Sequence, residues 1–199
     1  MRRVAVMVLL SITAAQAIDK DSFSPGKASS YKGAQTQDKI TIAAVPYLTD
    51  EETRRAFEKL NPNKHGVLPV LVVLENGTGK ALRLNLKAEF VNASGEHVNA
   101  TPGDDVIYLE SIRKVPKIYD PSITGLPLPR KRVKKGPLNI WQIPGRQFAA
   151  KLLPAGESVA GFYYFQTNYE PGSRIYLTGI QDAASGQDFF YFEVPMQMQ

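Results

Sequence analysis

The sequence predicts a mainly β fold, an antiparallel sandwich of two sheets, and three observations lead to that prediction. The first is a pair of long apolar stretches between residues 66 and 91, separated by turn-forming residues. The second is a set of three further strand-like segments near the C-terminal end. The third is that strands and helices do not alternate along the chain, as they would in a parallel α/β sheet.

The stretch 66–91 predicts two long adjacent strands joined by a tight turn. In its second half, apolar residues from Leu82 to Phe90 alternate with polar ones, which is typical of a strand with one solvent-facing side. In its first half, Leu71 and Val73 lie on one face, and the apolar residues that alternate with them lie on the other: Leu68, Val70, Val72 and Leu74. Both faces of that strand therefore require cover. We therefore expect an interior strand and a half-exposed strand, paired as a hairpin around residues 76–79.

Signals for other elements lie on both sides of this pair. Residues 39–47 predict a first strand, and the spacing of Thr49 and Glu52 is that of a capping box, which predicts a short helix. A second short helix is expected from about Arg146 to Pro154. The remaining strands are predicted at residues 158–167, 173–180 and 188–194. About seven strands with one or two short helices favour an antiparallel sandwich of immunoglobulin type.

Two short blocks carry a resemblance to known domains. Residues 152–157 read Leu-Leu-Pro-Ala-Gly-Glu and precede a strand that reads Gly-Phe-Tyr-Tyr-Phe from Gly161. Together with residues 67–70 and Asn76, this pattern resembles exported bacterial immunoglobulin-like domains of unknown function, in which L-x-P-G-E precedes a strand of the form G-x-x-x-F. The resemblance implies an immunoglobulin-like sandwich and brings no functional residues with it.

The N-terminal residues predict export. Residues 1–17 combine two arginines, a short apolar run and an Ala-Gln-Ala site, the parts of a secretory signal peptide. Residues 18–38 are rich in Ser, Lys, Gly and Gln and predict a flexible leader, and residues 39–199 predict a single sandwich domain. The chain has no cysteine, so we expect no disulfides and no lipid-modified cysteine. We expect a periplasmic or outer-surface protein of a bacterium, with no transmembrane segment after signal removal.

Few residues could carry catalysis. The only histidines, His65 and His97, lie in predicted turn or edge positions and are not spaced as a helical zinc pair. No phosphate-binding loop, dinucleotide fingerprint or nucleophile elbow occurs. Acidic residues that could meet in space form two groups, Asp104 with Asp105 and Glu110, and Asp182 with Asp188. We expect no catalytic residues, no cofactor and no metal site.

These features favour a non-catalytic exported sandwich that binds a partner of the cell envelope. The partner would be a protein or an anionic polysaccharide or lipid surface, and not nucleic acid. One alternative is a hydrolase of envelope carbohydrate, which needs two carboxylates across a cleft. Another is a structural assembly subunit that donates residues 18–38 to a neighbouring subunit as a strand.

The segment 113–136 is a long basic insert rich in proline. It holds eight Lys or Arg residues against one acid, a local charge of +7, and its four prolines predict an extended loop. Five of the basic residues fall within six positions and are the candidates for docking to an anionic surface: Arg130, Lys131, Arg132, Lys134 and Lys135.

Replacing these five residues by Gln is expected to change the free energy of unfolding by less than about 1 kcal/mol, because exposed loop charges contribute little to stability. The same replacement is expected to abolish binding to anionic vesicles or envelope polysaccharide at low salt, since such binding depends on counterion release. Cosedimentation at increasing salt measures this. Absence of salt-sensitive retention in the unchanged protein would end the docking hypothesis.

Overall fold

The computed structural model describes residues 23–58, 60–109 and 136–198, and the mainly β fold predicted from the sequence is confirmed there. Two antiparallel sheets stack with a shared apolar core between them. The predicted signal peptide and nearly all of the basic insert lie outside these ranges. Within them, no helix is both long enough and apolar enough to cross a bilayer.

Each sheet mixes strands from both halves of the sequence. The first sheet has the order β1-β2-β3-β7. Its strands are β1 (Gln35–Gln37), β2 (Ile40–Pro46), β3 (Leu68–Asn76) and β7 (Ser158–Phe165). The second has the order β5-β4-β8-β9, with β6 also paired to β4. Its strands are β4 (Leu82–Val91), β5 (His97–Asn99), β6 (Leu152–Leu153), β8 (Arg174–Asp182) and β9 (Asp188–Pro195).

The predicted hairpin between residues 68 and 91 is wrong. β3 pairs with β2 and β7, whereas β4 pairs with β5, β6 and β8, so the chain crosses from one sheet to the other between them. The alternation of apolar residues identified both strands correctly, but it does not distinguish neighbours in one sheet from neighbours across the core. The result is a β-sandwich in which the consecutive strands β3 and β4 lie in different sheets.

The interior strand β3 is covered on both faces, as predicted. Leu68, Val70 and Leu74 pack in the core between the sheets. Leu71 and Val73 belong to a second apolar cluster on the outer face of the first sheet, and both are fully buried. This double cover explains why the strand is apolar at successive positions.

Three short helices contribute to the second cluster: α1 (Asp50–Phe57), α2 (Gly103–Val106) and α3 (Gln142–Gly145). The predicted capping box of α1 is confirmed, because the Glu52 amide donates to the Thr49 hydroxyl while the Thr49 amide donates to the Glu52 carboxylate. Phe57 then places its ring 4.9 Å from that of Phe162 on β7. The helices therefore form a third layer over the first sheet.

The flexible leader predicted at 18–38 is wrong for its described part, residues 23–38. Phe23 packs its ring 5.5 Å from that of Phe162, and Ala28 is fully buried. Residues Gln35–Gln37 pair with β2 as an edge strand. The segment has few apolar side chains of its own, but the second cluster offers them an aromatic surface on which to pack. Residues Gln35–Gln37, which belong to the segment considered for donation to a neighbouring subunit, therefore pair with a strand of their own chain.

The helix predicted from about Arg146 is also wrong. Helix α3 ends at Gly145, and the chain then runs beside β7, where the Phe148 amide donates to the Phe162 carbonyl at 3.0 Å. The Phe162 amide in turn donates to the Arg146 carbonyl at 2.8 Å. Pairing with an open strand edge has overridden local helical preference.

Asn76 connects two of the segments that pass between the sheets, the one from β3 to β4 and the one from β6 to β7. Its side-chain amide donates to the carbonyls of Lys80, Leu153 and Pro154 at 2.7–3.1 Å. Its carbonyl oxygen accepts from the amide and hydroxyl of Thr78. Although Asn76 opens an N-x-T triplet, its side chain is buried, so it is not exposed as a glycosylation acceptor in the folded domain.

We expect Asn76→Ala to reduce the free energy of unfolding by about 3–5 kcal/mol, because it removes the three hydrogen bonds that the buried amide donates and the two that its side-chain oxygen accepts. Denaturant unfolding measures the loss. Asn99→Ala is the matched control, since Asn99 is exposed, and it should change stability by less than about 0.5 kcal/mol. Equal effects of the two substitutions would show that the buried amide is not a structural anchor.

Candidate binding cleft

A cleft of about 430 Å³ lies along the free edge of β7. Three segments of the chain line it: residues 158–161 of β7, residues 145–147 from the last residue of α3 onwards, and residues 23 and 25–27 of the N-terminal segment. Phe23, Pro25 and Val159 contribute apolar surface, and the remaining lining is small or polar. The cleft therefore combines an apolar wall with an exposed strand edge.

The pairing of β7 shows which of its backbone groups point into the cleft. Phe162 and Tyr164 bond through their backbones to segments outside the sheet, Phe162 to residues 146–148 and Tyr164 to Thr101. Backbone direction alternates along an antiparallel strand, so Ala160 also directs its amide and carbonyl away from β3. No described residue bonds to the Ala160 amide or carbonyl.

Gly161 allows the segment 146–148 to lie directly against β7 next to the part of the strand edge that lines the cleft. A Cβ atom at Gly161 would overlap the backbone of Phe148, so only glycine allows residues 146–148 to approach the strand this closely. Before Arg146, the chain turns away into α3. The covering segment thus protects β7 at Phe162 and leaves it open at Ala160.

The charged groups of the cleft are both cationic. Lys27 is exposed, and Arg146 lies with its guanidinium 4.7 Å from the ring centre of Phe23. Arg146 also donates to the backbone carbonyls of Arg55 and Ala56, which holds the guanidinium in place. Among the described residues, no Asp, Glu or His lines the cleft.

The docking candidates predicted in the basic insert are Arg130, Lys131, Arg132, Lys134 and Lys135, and all five lie outside the described residues. Docking through them stays a prediction.

The two histidines lie outside the cleft, one on the second sheet and one in a turn. His97 on β5 places Nδ1 2.8 Å from a carboxylate oxygen of Glu89, on the exposed face of the second sheet. His65 lies in a turn after Pro62, and its Nδ1 is buried without a hydrogen-bond partner. Neither histidine lines the cleft beside β7.

The acidic groups considered from the sequence do not form a paired site among the described residues. Asp104 and Asp105 lie exposed on α2, and Glu110 is not described. Asp188 accepts from the Gln181 side chain, whereas Asp182 accepts from two backbone amides and from Lys80. Over the described ranges, no group of three His, Cys, Asp or Glu residues could hold a metal ion.

Asp182 is a buried turn anchor. Hydrogen bonds from the Ser185 amide, the Lys80 ammonium and the Ala184 amide stabilise its ionised form and hold the pKa of its carboxyl well below the usual range. Lys80 Nζ lies 2.9 Å from the carboxylate. Through these contacts, Asp182 connects the turn between β8 and β9 to the residues just before β4.

Comparisons with known proteins add no family assignment. No protein-family model matches the chain, and no curated protein sequence matches it. Among solved structures, the chain is similar to one described as a "putative lipoprotein" of Bacillus subtilis, at 12% identity and a TM-score of 0.35. The match covers 82% of this chain, which spans only 39% of that one.

Sequence reasoning missed the cleft because its lining comes from three distant segments. Phe23 and Lys27 belong to the predicted flexible leader, and Arg146 to a predicted helix. The one local signal was Gly161, since glycine within a strand often marks close approach of another backbone.

The lowered pKa of Asp182 predicts a pH dependence. Because the pKa is lower in the folded state, the ionised carboxylate stabilises the fold above its unfolded pKa of about 3.9, and this contribution declines as the pH falls below that value. The stability advantage over Asp182→Asn should therefore be larger at pH 7 than at pH 3 in denaturant unfolding. Asp104→Asn controls for removing one surface charge. An advantage that does not change with pH would contradict the assignment.

Proposed function

We propose that the chain is an exported, non-catalytic binding protein of the cell envelope and that it holds its partner in the cleft beside β7. The single observation that carries the proposal is the open backbone edge at Ala160, located in a cleft with an apolar wall and two cationic side chains. Exposed strand edges provide main-chain hydrogen bonds to a partner, and neighbouring pockets provide selectivity.

The rigid surroundings of the cleft support binding. β7 is held on one side by β3 over its whole length, and its residues Phe162 and Tyr164 pack into the second apolar cluster. The N-terminal wall is fixed by Phe23 and by the hydrogen bond from the Gly26 amide to the Tyr31 hydroxyl at 2.8 Å. A preorganised surface loses little conformational entropy when it binds.

The cleft also differs from the site that a carbohydrate hydrolase requires. Glycoside hydrolysis uses two carboxyl groups on opposite sides of the scissile bond. The lining residues instead offer an ammonium, a guanidinium, a hydroxyl and an amide. These groups suit recognition of an anionic or polar partner.

Filling the cleft tests the proposal. Ser158 is exposed at the cleft, and Ser158→Tyr adds bulk there with a residue that favours strands. We expect the mature protein to sediment with purified bacterial cell-wall and membrane fragments, and Ser158→Tyr to lower its affinity by about tenfold, equivalent to about 1.4 kcal/mol. Soluble reducing sugar, measured in the same samples, should not accumulate.

Ser94→Tyr is the matched control, because Ser94 lies in an exposed turn away from the cleft and should bind like the unchanged protein. Thermal unfolding of both variants verifies that they are folded. Release of sugar in proportion to protein would identify an enzyme instead. Unchanged retention of Ser158→Tyr would exclude this cleft as the binding site.

A further inference from the structure

We infer that the outer face of the second sheet is a separate binding site and that it takes an uncharged polysaccharide chain. This face lies on β5, β4, β8 and β9, whereas the cleft lies on β7 of the first sheet, so the inference goes beyond the proposed function. It rests on an exposed stack of two tyrosines, on polar groups at both sides of the stack and on the charge of the whole face.

The stack occupies the middle of the face. Tyr176 on β8 and Tyr191 on β9 place their ring centres 5.0 Å apart, with 24° between the ring planes. The residues that alternate with them, Ile175, Leu177 and Phe192, are buried in the core, so both tyrosines lie on the outer side of the sheet. Tyr191 is 50% exposed, and among the described residues its ring contacts no aromatic ring other than Tyr176. One face of the Tyr191 ring is therefore open to a ligand.

The open ring surface suits the C–H groups of a sugar. The face of an aromatic ring carries partial negative charge, which attracts the partly positive hydrogens of C–H groups that are bonded next to oxygen. A pyranose ring presents several such hydrogens on one side and hydroxyl groups around its rim. Phe190, the neighbour of Tyr191, is 86% exposed and adds apolar surface at the edge of the sheet. Contiguous exposed apolar surface of this kind is typical of interaction sites.

Polar side chains flank Tyr176 on both neighbouring strands. On β4, Glu89 is the register partner of Tyr176, and its carboxylate lies 2.8 Å from Nδ1 of His97. On β9, Glu193 is the register partner of Tyr176, and its carboxylate lies 2.7 Å from Nε of Arg174. These four polar side chains are 38–55% exposed, so part of each remains accessible to a ligand. A carboxylate offers about four lone-pair sites, so each can accept from sugar hydroxyls in addition to its present partner.

The charge of the face decides which polysaccharide it suits. With histidine neutral, three cationic and three anionic side chains lie on it: Arg83, Lys87 and Arg174, and Glu89, Asp188 and Glu193. A face without net charge gives no long-range attraction to a strongly charged polymer. Its separate donors and acceptors instead complement the hydroxyl and amide groups of an uncharged one. The four strands span about 14 Å, three strand spacings, which accommodates an oligosaccharide rather than a single sugar.

Titrations with uncharged oligosaccharides test the inference on the mature protein. The probes are cellohexaose, maltohexaose and chitohexaose, and the charged comparison is hexagalacturonic acid. Binding is followed by the backbone amide resonances of the protein at low and at high salt. We expect at least one uncharged probe to shift the resonances of Tyr176, Tyr191 and Glu193, with an affinity that does not change with salt. The charged probe should bind more weakly, because its carboxylates lose hydration without a net counter-charge on the face.

Substitutions of Tyr191 test the stacking itself. Tyr191→Ala should weaken binding of the uncharged probe by at least about tenfold, whereas Tyr191→Phe keeps the ring and should bind like the unchanged protein. Tyr108→Ala is the matched control, since Tyr108 is also exposed, at 42%, but lies next to α2, away from the second sheet. Amide spectra verify that each variant is folded. The resonance shifts of the unchanged protein locate the site even if Tyr191→Ala does not fold.

Any one of four results would overturn the inference. They are no binding of the three uncharged probes, shifts at residues 158–161 instead of on β8 and β9, equal affinities of Tyr191→Ala and Tyr191→Phe, and binding of the charged probe that is as tight or tighter. Ser158→Tyr separates this test from that of the proposed function, because it fills the cleft and should leave oligosaccharide binding unchanged. Either site can therefore fail while the other stands.

Discussion

The buried side chain of Asn76 is the interaction on which the rest of the sandwich depends. Two passages between the sheets meet at this residue, the one from β3 to β4 and the one from β6 to β7. The backbone of Asn76 also bonds to Glu157 and Gly156, so the side chain and the main chain hold the same turn. Buried backbone carbonyls require donors, and one amide group here serves carbonyls from both passages.

This contact gives a physical reason for the two sequence blocks described above. The residues from Leu153 to Glu157 form the turn that receives the Asn76 side chain, and Gly156 adopts a positive φ of 77° there. Glycine adopts this conformation without steric cost. Hydrogen bonds thus connect Asn76, at the end of β3, to the turn with Pro154 and Gly156 that precedes β7.

The two sheets differ in how they are covered, and that difference positions the cleft. The first sheet packs between the central core and the second apolar cluster, which gives its strands β2 and β3 two buried faces. The segments that cover its outer face must pass the edge of β7, and they protect this edge only in part. The cleft is the gap between the N-terminal segment and the segment after α3. The outer face of the second sheet instead shows polar residues such as Arg83 and Lys87.

Several elements were predictable because their signals are local. The capping box of α1, the alternation of β4 and the double cover of β3 depend on residues close together in sequence. The errors share a different cause. The leader and the segment after Arg146 were misassigned because each is stabilised by packing or pairing with β7, which their own residues do not reveal.

The sequence by itself determined the fold class, the main strands and the first helix, since apolar periodicity and capping follow directly from the geometry of strands and helices. Only the tertiary structure decided which strands are neighbours, because alternation is the same for pairing within a sheet and for packing across the core. It also decided where β7 remains open. That opening depends on how three segments distant in the chain meet at one edge, and no local pattern encodes such a meeting.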